Sequence, residues 1–490
     1  MKILLVYPRS PDTFWSFKHV LPFVAKRAAF PPLGLLTVAA MLPSGWEVRL
    51  ADTNVATLAD RDIAWADWVM LSGMIVHRES AREIARRCAG LGRPVIAGGP
   101  LFTTGHRDFP EIPHFVLGEA ENVIGEVVAD MLAGTVKATY RSAGFPDINT
   151  APVPRWELAD LRHYVTMPVQ FSRGCPFDCE FCDIVAMYGR VPRTKAPQRV
   201  IAELEALRRA SWRDMVFIVD DNFIGNKKRV RELLNALVEW RKRTLPEIGF
   251  LTEASVNLAD EDELLELMLR AGFKKVFVGL ETPIVASLEE SRKVQNKKRD
   301  LVAAVHAIQN AGLEVMGGFI VGFDNDPLDV FRRQFEFIQR SGVVTAMVGL
   351  LTALPQTRLH ARLAREGRIL ADSLGDNTAA ALNFLPRLDR GYLFDGYREL
   401  MRSLYAPKNY YRRVRTFLAS WQPRGPDLRL AWADVLAFLR SLWTLGFLRR
   451  GRLGFWRLFW VTLLARPQKF RAAMELAIMG HHFRTVAERL

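Results

Sequence analysis

The first 140 residues alternate short apolar runs with stretches that carry apolar residues on one helical face. The apolar runs are rich in Val, Ile, Leu and aromatic residues, a composition typical of buried strands. They are KILLVYP, WEVRLAD, WVMLSGM, RPVIAGGP and HFVLGEA. Strands that alternate with helices form parallel sheets with helices on their faces. The pattern therefore predicts an α/β, Rossmann-like domain over residues 1–141.

A second series of six apolar runs, each followed by a helical pattern, occupies residues 161–360. These runs are MPVQFS, MVFIVDDNF, IGFLTEASV, KVFVGLET, EVMGGFIVGF and TAMVGLLTAL. Six βα units predict a partial (β/α)6 barrel that is not fully closed. Residues 142–160 between the two domains are rich in Pro and small residues and predict a linker. The βα rhythm then stops, and residues 361–490 predict a mainly helical C-terminal region.

Small residues follow three of the predicted strands in the N-terminal domain. In parallel α/β sheets, ligands bind over the carboxyl ends of the strands, where small residues let a large cofactor approach the backbone. Glycines are also common there in any domain of this class. The candidate positions for a large cofactor are Ser72, Gly73, Met74, Gly98, Gly99, Pro100, Gly118 and Glu119.

The composition, 49% hydrophobic and 24% charged over 490 residues, is that of a globular protein. The opening MKILLVYP lacks the apolar core of a signal peptide, so we expect a cytoplasmic protein. Four cysteines, three of them clustered, fit a reducing compartment where thiolates remain available for metal. Cys88, in REIARRCAGLG, is expected to pack inside a helix.

The three clustered cysteines, Cys175, Cys179 and Cys182, form a C-x3-C-x2-C motif in GCPFDCEFCD. A cubane iron-sulfur cluster is normally held by four thiolates, so a loop with three leaves one iron without a protein ligand. As at catalytic metal sites that keep one position free, substrate can bind there. The alternatives are a structural zinc site and a disulfide framework. Zinc would need a fourth Cys or a nearby His, and no His lies between His163 and His306.

This motif resembles the signature of radical S-adenosylmethionine (SAM) enzymes. Together with the six βα units and the N-terminal domain, it makes the whole chain resemble a cobalamin-binding-domain radical SAM protein. Further stretches match the branch that includes the hopanoid C-2 methyltransferases: PDTFWSFKH, FPPLGLLTVAAML, AGGPLFT, QFSRGCPFDCEFCDI, VDDNFIGNKK, TEASVNLAD, GLETP, QNKKRDL, GGFIVGFD, MVGLLTALP and YAPKNYYRRV. The resemblance implies that a 4Fe-4S cluster binds SAM at its open iron and cleaves it to a 5′-deoxyadenosyl radical.

The resemblance also implies SAM contacts at the carboxyl ends of the barrel strands, and no side chain acts as a catalytic acid or base. By position, the candidates are Asp220, Asp221, Asn222, Glu253, Ser255, Gly317, Gly318 and Gly322. Glu281 in GLETP binds cofactor or takes part in a salt bridge within the barrel. For Asp221 and Asn222 the alternative is to cap the helix that follows. Phe181 is expected to shield the cluster, since solvent exposure tunes its potential.

Cobalamin, the second cofactor that the resemblance implies, is expected to bind without a His ligand from the protein. Domains that supply this ligand use D-x-H-x-x-G, and none of the nine His residues has an Asp two positions before it. A domain that had lost cobalamin would lack the motif as well. His77, just after SGM, either lies under the corrin ring or is an ordinary polar loop residue.

Half of the net charge of +14 lies near the C-terminus, where residues 430–490 contain ten basic and three acidic residues. Trp and Phe alternate with Arg there, and the uncharged apolar runs fall short of the roughly 18 residues of a spanning helix. Basic amphipathic helices with Trp and Phe favour the membrane interface. Residues 430–480 therefore predict peripheral contact with the inner face of the membrane, with a helical cap packed on the barrel as the alternative. Nucleic acid is not expected as a partner, because phosphate binding does not require so many large apolar residues.

The preferred hypothesis is a cobalamin-dependent radical methyltransferase acting on an unactivated carbon of a lipid-like, hopanoid or isoprenoid, substrate. The alternative is a cobalamin-binding radical SAM enzyme that catalyses a non-methylating rearrangement, cyclisation or coupling. Both need an electron donor such as flavodoxin or ferredoxin. A third hypothesis is a non-catalytic cobalamin or cluster protein, but a binding protein has no need of an open iron.

Overall fold

The computed structural model describes residues 1–244, 248–376, 378–424 and 432–490. The N-terminal domain contains six parallel strands: β1 Lys2–Tyr7, β2 Glu47–Asp52, β3 Trp68–Ser72, β4 Val95–Gly98, β5 His114–Leu117 and β6 Thr139–Arg141. They form one sheet in the order β2-β1-β3-β4-β5-β6. The five predicted strands are confirmed. Strand β6 was not predicted, because three residues are too few to form a pattern.

Helices cover both faces of this sheet because its strands are apolar on both sides. On β1, Ile3 and Leu5 are buried on one face. Leu4 and Val6 are buried on the other. A strand buried on both faces reads as a continuous apolar run, as KILLVYP does. The helices of the domain are α1 Leu33–Met41, α2 Asp60–Trp65, α3 Arg78–Gly90, α4 Pro100–Gly105 and α5 Ile124–Ala133. Cys88 is buried in α3, as expected.

The central domain contains eight strands: β7 Met167–Val169, β8 Ser172–Arg173, β9 Arg193–Thr194, β10 Val216–Ile218, β11 Phe250–Ala254, β12 Phe273–Glu281, β13 Glu314–Val321 and β14 Ala346–Leu350. Six of them, one from each predicted run, form a parallel sheet in the order β14-β13-β12-β11-β10-β7. β8 and β9 form a separate antiparallel pair. The helices are α6 Ile184–Tyr188, α7 Pro197–Arg209, α8 Lys227–Thr244, α9 Asp262–Ala271, α10 Val285–Glu290, α11 Leu301–Ala311, α12 Val330–Ser341 and α13 Arg358–Arg365. The predicted partial (β/α)6 barrel is confirmed.

Alternate residues of the barrel strands line the interior. On β12, Val276 and Val278 are fully buried in the core, whereas Phe277 between them is half-buried. The ring of Phe277 packs edge-on against Trp15, with 5.3 Å between ring centroids. The indole N–H of Trp15 points at the sulfur of Met347, 2.9 Å away. The interior of a closed barrel is filled by such side chains, but here their partial exposure leaves room for a ligand.

The C-terminal region covers the edge strand β14. The hydroxyl of Tyr405 donates to the carbonyl of Ala346 at 2.6 Å, and that of Tyr397 donates to the carbonyl of Val348 at 3.1 Å. Free carbonyl groups on an exposed edge would invite pairing with another chain. The region consists of the helices α14 Arg390–Tyr405, α15 Pro407–Ser420, α16 Trp432–Trp443, α17 Arg452–Ala465 and α18 Phe470–Arg489. Its predicted helical character is confirmed.

The segment 142–160, predicted as a linker, is packed against the protein. Ile148 and Trp156 are buried, and Arg199 donates to the carbonyl of Ala151 at 2.7 Å. The predicted boundary after residue 360 falls inside α13. The domain boundaries themselves remain predictions, but the three regions are joined by direct contacts.

Candidate functional site

The cysteine motif lies in the loop after β8, near the carboxyl end of the first barrel strand. Gly174 opens the loop with a φ of +96°, and a Cβ there would lie 2.9 Å from the carbonyl oxygen of Gly189. Only glycine allows this conformation and this approach. The amide of Cys175 donates to the same carbonyl at 3.3 Å, and the amide of Cys182 donates to the carbonyl of Cys179 at 3.2 Å. The sequence therefore folds the motif into a compact loop.

The three thiols lie in an environment suited to metal. Burial raises the pKa of each thiol, so the protons are held until a metal replaces them. The side-chain amide of Asn222 donates to the sulfur of Cys175 at 3.9 Å, and that of Gln295 donates to the sulfur of Cys179 at 3.8 Å. The nearby ammonium of Lys293 lowers the pKa of Cys179 in part. Hydrogen bonds to sulfur and limited solvent exposure are the factors that set a cluster potential.

Asp220, a candidate for cofactor contact, anchors the loop that leads to the motif. Its carboxylate accepts hydrogen bonds from the amides of Phe171 and Ser172 at 2.8 and 2.9 Å, and from the hydroxyl of Ser172 at 2.7 Å. Burial raises the pKa of Asp220 to about 7. Both of its oxygens are occupied by this turn, a structural role that the sequence did not predict.

Asp221 and Asn222 extend this anchor. Asp221 accepts from the amide of Gly174 at 2.9 Å, and burial raises its pKa to about 6. The side-chain oxygen of Asn222 accepts from the amide of Ser255 at 3.1 Å. Asn222 makes no side-chain cap to the helical turn that follows it. Asn222 and Ser255 also line a cavity of about 420 Å³ beside the motif, so they remain available to a ligand.

Two further carboxylates follow at the ends of β11 and β12. Glu253 is half-buried, and burial, with the charges of Asp221 and Asp220, raises its pKa to about 8. It has no hydrogen-bond partner in the described part of the chain. Glu281 pairs with Lys293 at 2.6 Å, which is the salt bridge named above as the alternative. With a pKa of about 8, Glu253 is mostly neutral at pH 7 in the absence of a ligand, and a cation such as the ammonium or sulfonium of SAM would favour its ionised form.

The glycines of β13 face opposite sides of the sheet. A Cβ on Gly318 would lie 2.9 Å from the ring of Phe277, inside the barrel. A Cβ on Gly317 would lie 3.0 Å from the side chain of Val343, on the helical side. Gly322 follows the strand and donates its amide to Asp326 at 2.7 Å. Of the two adjacent strand glycines, only Gly318 lines the interior.

The candidate residues of the N-terminal domain lie together at the carboxyl edge of its sheet. Ser72 ends β3, and Gly98 ends β4. Gly99 has a φ of +90°, and a Cβ there would lie 2.5 Å from the hydroxyl of Ser72. Glycine is therefore required for the two turns to touch, and Pro100 begins α4 directly after them. Met74, beside them, is 52% exposed, so the edge offers small residues and a free apolar side chain.

Glu119 joins this edge to the cysteine loop. It follows Gly118 at the end of β5 and pairs with Arg193 at 2.6 Å and with Arg173, two residues before the motif. Arg173 also pairs with Glu121 at 2.7 Å. These side chains are at most 19% exposed. The carboxyl edges of the two sheets therefore face each other, and the carboxylate of Glu119 serves this interface.

His77 is a buried structural residue. Its Nδ1 accepts from the amide of Met74 at 3.0 Å, so its Nε2 carries the proton and donates to the hydroxyl of Ser10 at 2.9 Å. Burial lowers the pKa of His77 to about 4, which keeps the ring neutral. With both nitrogens engaged, His77 matches the alternative of an ordinary polar residue.

An ionic clamp, which the sequence did not predict, holds the motif from the other side. Arg362 of α13 pairs with Glu180, between the second and third cysteines, at 2.7 Å and with Asp324 at 2.9 Å. Arg358 on the same helix pairs with Asp178 at 2.8 Å. The sequence around α13 gives no sign of this contact, because Arg362 and Glu180 are 182 positions apart in the chain.

The donor set fits a cubane cluster better than the alternatives. All three motif cysteines are free thiols, so the disulfide framework is absent. Within residues 1–244, 248–376, 378–424 and 432–490, no three His, Cys, Asp or Glu side chains are grouped closely enough for a single metal ion, which argues against zinc. Each thiolate of a cubane binds a different iron, so its ligands stand further apart. Phe181, partly buried against the core beside Cys182, is placed to shield such a cluster.

Known families match the chain in the order of its domains. Models match for the B12 binding domain over residues 26–128, the Radical SAM superfamily over 169–365, and a Domain of unknown function (DUF4070) over 357–490. An uncharacterized methyltransferase of Synechocystis sp. is 39% identical over 493 residues, covering 99% of this chain and 91% of the relative. The chain belongs to the cobalamin-binding radical SAM family.

Another relative in this family is the hopanoid C-2 methylase of Rhodopseudomonas palustris, 35% identical over 470 residues, which cover 93% of this chain and 88% of the relative. The radical SAM methyltransferase TsrM from Kitasatospora setae, solved with cobalamin and a 4Fe-4S cluster, has a TM-score of 0.63 at 15% identity. The match covers 98% of this chain and 99% of TsrM and establishes the fold. As a cobalamin-binding radical SAM enzyme, the protein uses a 4Fe-4S cluster, SAM and cobalamin.

We expect Arg362→Gln to loosen the cysteine loop, because Glu180 would lose its guanidinium partner while staying largely buried, whereas Asp324 keeps its ion pair with Arg368. Breaking a buried ion pair costs about 3 to 5 kcal/mol, and the 23% exposure of Arg362 reduces this to roughly 1 to 3 kcal/mol. The measurements are iron retained per chain after anaerobic gel filtration and the midpoint of thermal unfolding. Arg365→Gln, on the exposed side of α13, is the matched control and should change neither. Equal results for the two variants would contradict the clamp.

The raised pKa of Glu253 predicts a pH dependence of stability. Its ordinary pKa of 4.5 applies in the unfolded chain, and burial raises the folded value to about 8. The stability that neutral Glu253 contributes is therefore present at low pH and is lost as the pH rises toward 8. In the cofactor-free protein, Glu253→Gln should gain roughly 1 to 3 kcal/mol of unfolding free energy over wild type between about pH 5 and pH 8. Denaturant titrations across this range test it, and a pH-independent difference would refute it.

Proposed function

We propose that this enzyme transfers a methyl group to an unactivated carbon of a lipid-like substrate, within the class of polycyclic isoprenoids that includes the hopanoids. The observation that carries this proposal is the 35% identity, over 93% of the chain, to a protein named hopanoid C-2 methylase. The cofactors supply the methyl group and the radical that removes a substrate hydrogen. The chain itself has to bind and orient the substrate and keep water out.

The barrel interior supports an apolar substrate. Trp15, Phe277 and Met347 contact one another there and stay partly exposed. Phe217 on β10 and Leu251 on β11 are half-buried at alternating strand positions as well. Binding pockets lined by hydrophobic and aromatic side chains, with few polar groups, suit hydrocarbon-like ligands. Removal of a hydrogen atom from carbon needs no side-chain base in such a pocket.

We assign the candidate polar and small residues to two cofactors, SAM and cobalamin. Glu253, which has no hydrogen-bond partner among the described residues, supports binding of a cationic group of SAM, and Gly318 lies on the interior surface beside the ring of Phe277. The touching turns at Ser72 and Gly99, with exposed Met74 beside them, form the edge proposed for cobalamin. The ion pairs of Glu119 hold the two edges together, which supports adjacent positions for the two cofactors.

The test is a reaction of the anaerobically reconstituted enzyme with cobalamin, reductant, hopanoid lipid and SAM that carries a deuterated methyl group. We expect a lipid product with one deuterated methyl group, together with equal amounts of S-adenosylhomocysteine and 5′-deoxyadenosine. An unmethylated, rearranged lipid with 5′-deoxyadenosine alone would refute methyl transfer and favour the non-methylating alternative.

Trp15→Ala adds a residue-level readout to this reaction. Without the indole, the substrate loses packing while the SAM and cobalamin residues stay in place. Methylated product per 5′-deoxyadenosine should fall about tenfold, since burial of a large side chain is worth more than 1 kcal/mol. Trp15→Phe keeps a ring in the interior and should retain most of the methylated product per 5′-deoxyadenosine.

A further inference from the structure

Helices α16 and α17 expose an apolar surface that no other part of the described chain covers. Eleven of the 24 large apolar side chains that are exposed in the described residues lie within the 30 residues 435–464. Leu453 is 81% exposed, Leu464 76%, Trp443 63% and Trp460 52%. We call this surface, made of the exposed side chains between Val435 and Leu464, the hairpin face. Monomeric soluble proteins rarely leave so many large apolar side chains together in water.

The fold does not need the hairpin face for its own core. α17 buries Phe455, Leu458 and Phe459 against its neighbours and exposes further apolar residues, together with Arg452 and Arg457, on its other side. One side of α17 is therefore buried within the protein. The opposite side, which includes Leu453 and Trp460, is available to an external partner.

The charge around the hairpin face identifies the partner. Between Asp434 and Glu475 the sequence contains eight basic residues and no acidic one. Arg449, Arg450, Arg452 and Arg457 are exposed among the apolar side chains. Arg places its stem along an apolar surface and its guanidinium at phosphate, and Trp prefers the interface of a bilayer. Exposed apolar side chains interspersed with exposed arginines therefore complement an anionic phospholipid surface.

The helices are built to lie on a bilayer rather than to cross it. Among the described residues, none of the helices has the length and apolar character that spanning requires. α17 has 14 residues and carries Arg457 at its centre. An interfacial helix inserts only its apolar side, by about 5 to 10 Å, while its charges stay at the headgroups.

One segment connects the hairpin face to the barrel interior. Arg440 of α16 donates to the carbonyls of Pro22 and Phe23 at 2.9 and 3.0 Å. A few residues earlier in the same segment, Trp15 packs against Phe277 inside the barrel. The surface available for docking is thus joined by one short stretch of chain to the pocket proposed for the substrate.

We propose that the hairpin face docks this enzyme on the surface of an anionic phospholipid bilayer. Docking goes beyond the proposed function and does not require it, because vesicle binding is measured without substrate or turnover. Lack of methyl transfer to hopanoid would leave vesicle binding unchanged, and loss of vesicle binding would leave turnover on detergent-dispersed lipid unchanged, so the two failures are distinguishable.

The experiment is sedimentation of the full-length protein with vesicles of phosphatidylcholine, with and without about 30% phosphatidylglycerol. One variant combines Leu453→Gln, Trp460→Gln and Leu464→Gln, and a second combines Arg449→Gln, Arg450→Gln and Arg452→Gln. The matched control carries Leu132→Gln, Leu328→Gln and Leu374→Gln, at positions that are 66%, 74% and 64% exposed elsewhere in the protein. Circular dichroism confirms that each variant is folded.

We expect wild type and control to bind the anionic vesicles and to be released by high salt. The arginine variant should lose about fivefold in affinity per residue, and the apolar variant more than about tenfold. Failure of wild type to bind anionic vesicles would overturn the proposal, as would equal binding by the apolar variant. A wild-type dimer that the apolar variant converts to monomer, without vesicle binding, would assign the hairpin face to a second copy of the chain and also overturn it.

Discussion

The carboxylate of Asp220 accepts three hydrogen bonds from Phe171 and Ser172 at the buried end of β10. A buried carboxylate is costly unless its acceptors are satisfied, so this group fixes the backbone that leaves the first barrel strand. Asp221 continues the constraint through the amide of Gly174, and Asn222 reaches the sulfur of Cys175. Three consecutive side chains thus determine where the cysteine motif stands relative to the barrel mouth.

Two further ion pairs hold this loop. Arg173, just before the motif, is paired by Glu119 of the N-terminal domain, so the same loop orients the proposed cobalamin edge. Arg362 of α13 holds Glu180 within the motif. The open side of the barrel is covered by the C-terminal helices. The hydroxyls of Tyr405 and Tyr397 on these helices donate hydrogen bonds to carbonyl groups of β14. The carboxyl edges of the two sheets are thereby held facing each other, an arrangement that suits cofactors that need a fixed geometry and little water.

Much of the fold was predictable from periodicity, because strands buried on both faces give continuous apolar runs. KILLVYP and EVMGGFIVGF correspond to β1 and β13 within a few residues. The motif was predictable because its ligands lie within eight residues. The anchoring role of Asp220 was not, since a carboxylate at a strand end has the same local pattern whether it binds a ligand or a turn.

The contacts between distant parts of the chain were also beyond sequence reasoning. Glu119 and Arg173 are 54 positions apart, and nothing in GEAEN or SRGC predicts that they pair. Likewise, the adjacent Gly317 and Gly318 look equivalent in GGFIVGF, yet the strand pleat turns only one of them inward.

The central claim is that three thiolates hold a cluster with one open iron that binds SAM. The most direct measurement is the electron paramagnetic resonance spectrum of the reduced, anaerobically reconstituted enzyme, recorded with and without SAM. We predict about four irons per chain in wild type and Cys88→Ala, loss of the cluster in Cys182→Ala, and a wild-type spectrum that changes when SAM is added. A fully loaded wild-type cluster whose spectrum is unchanged by saturating SAM would contradict the open iron.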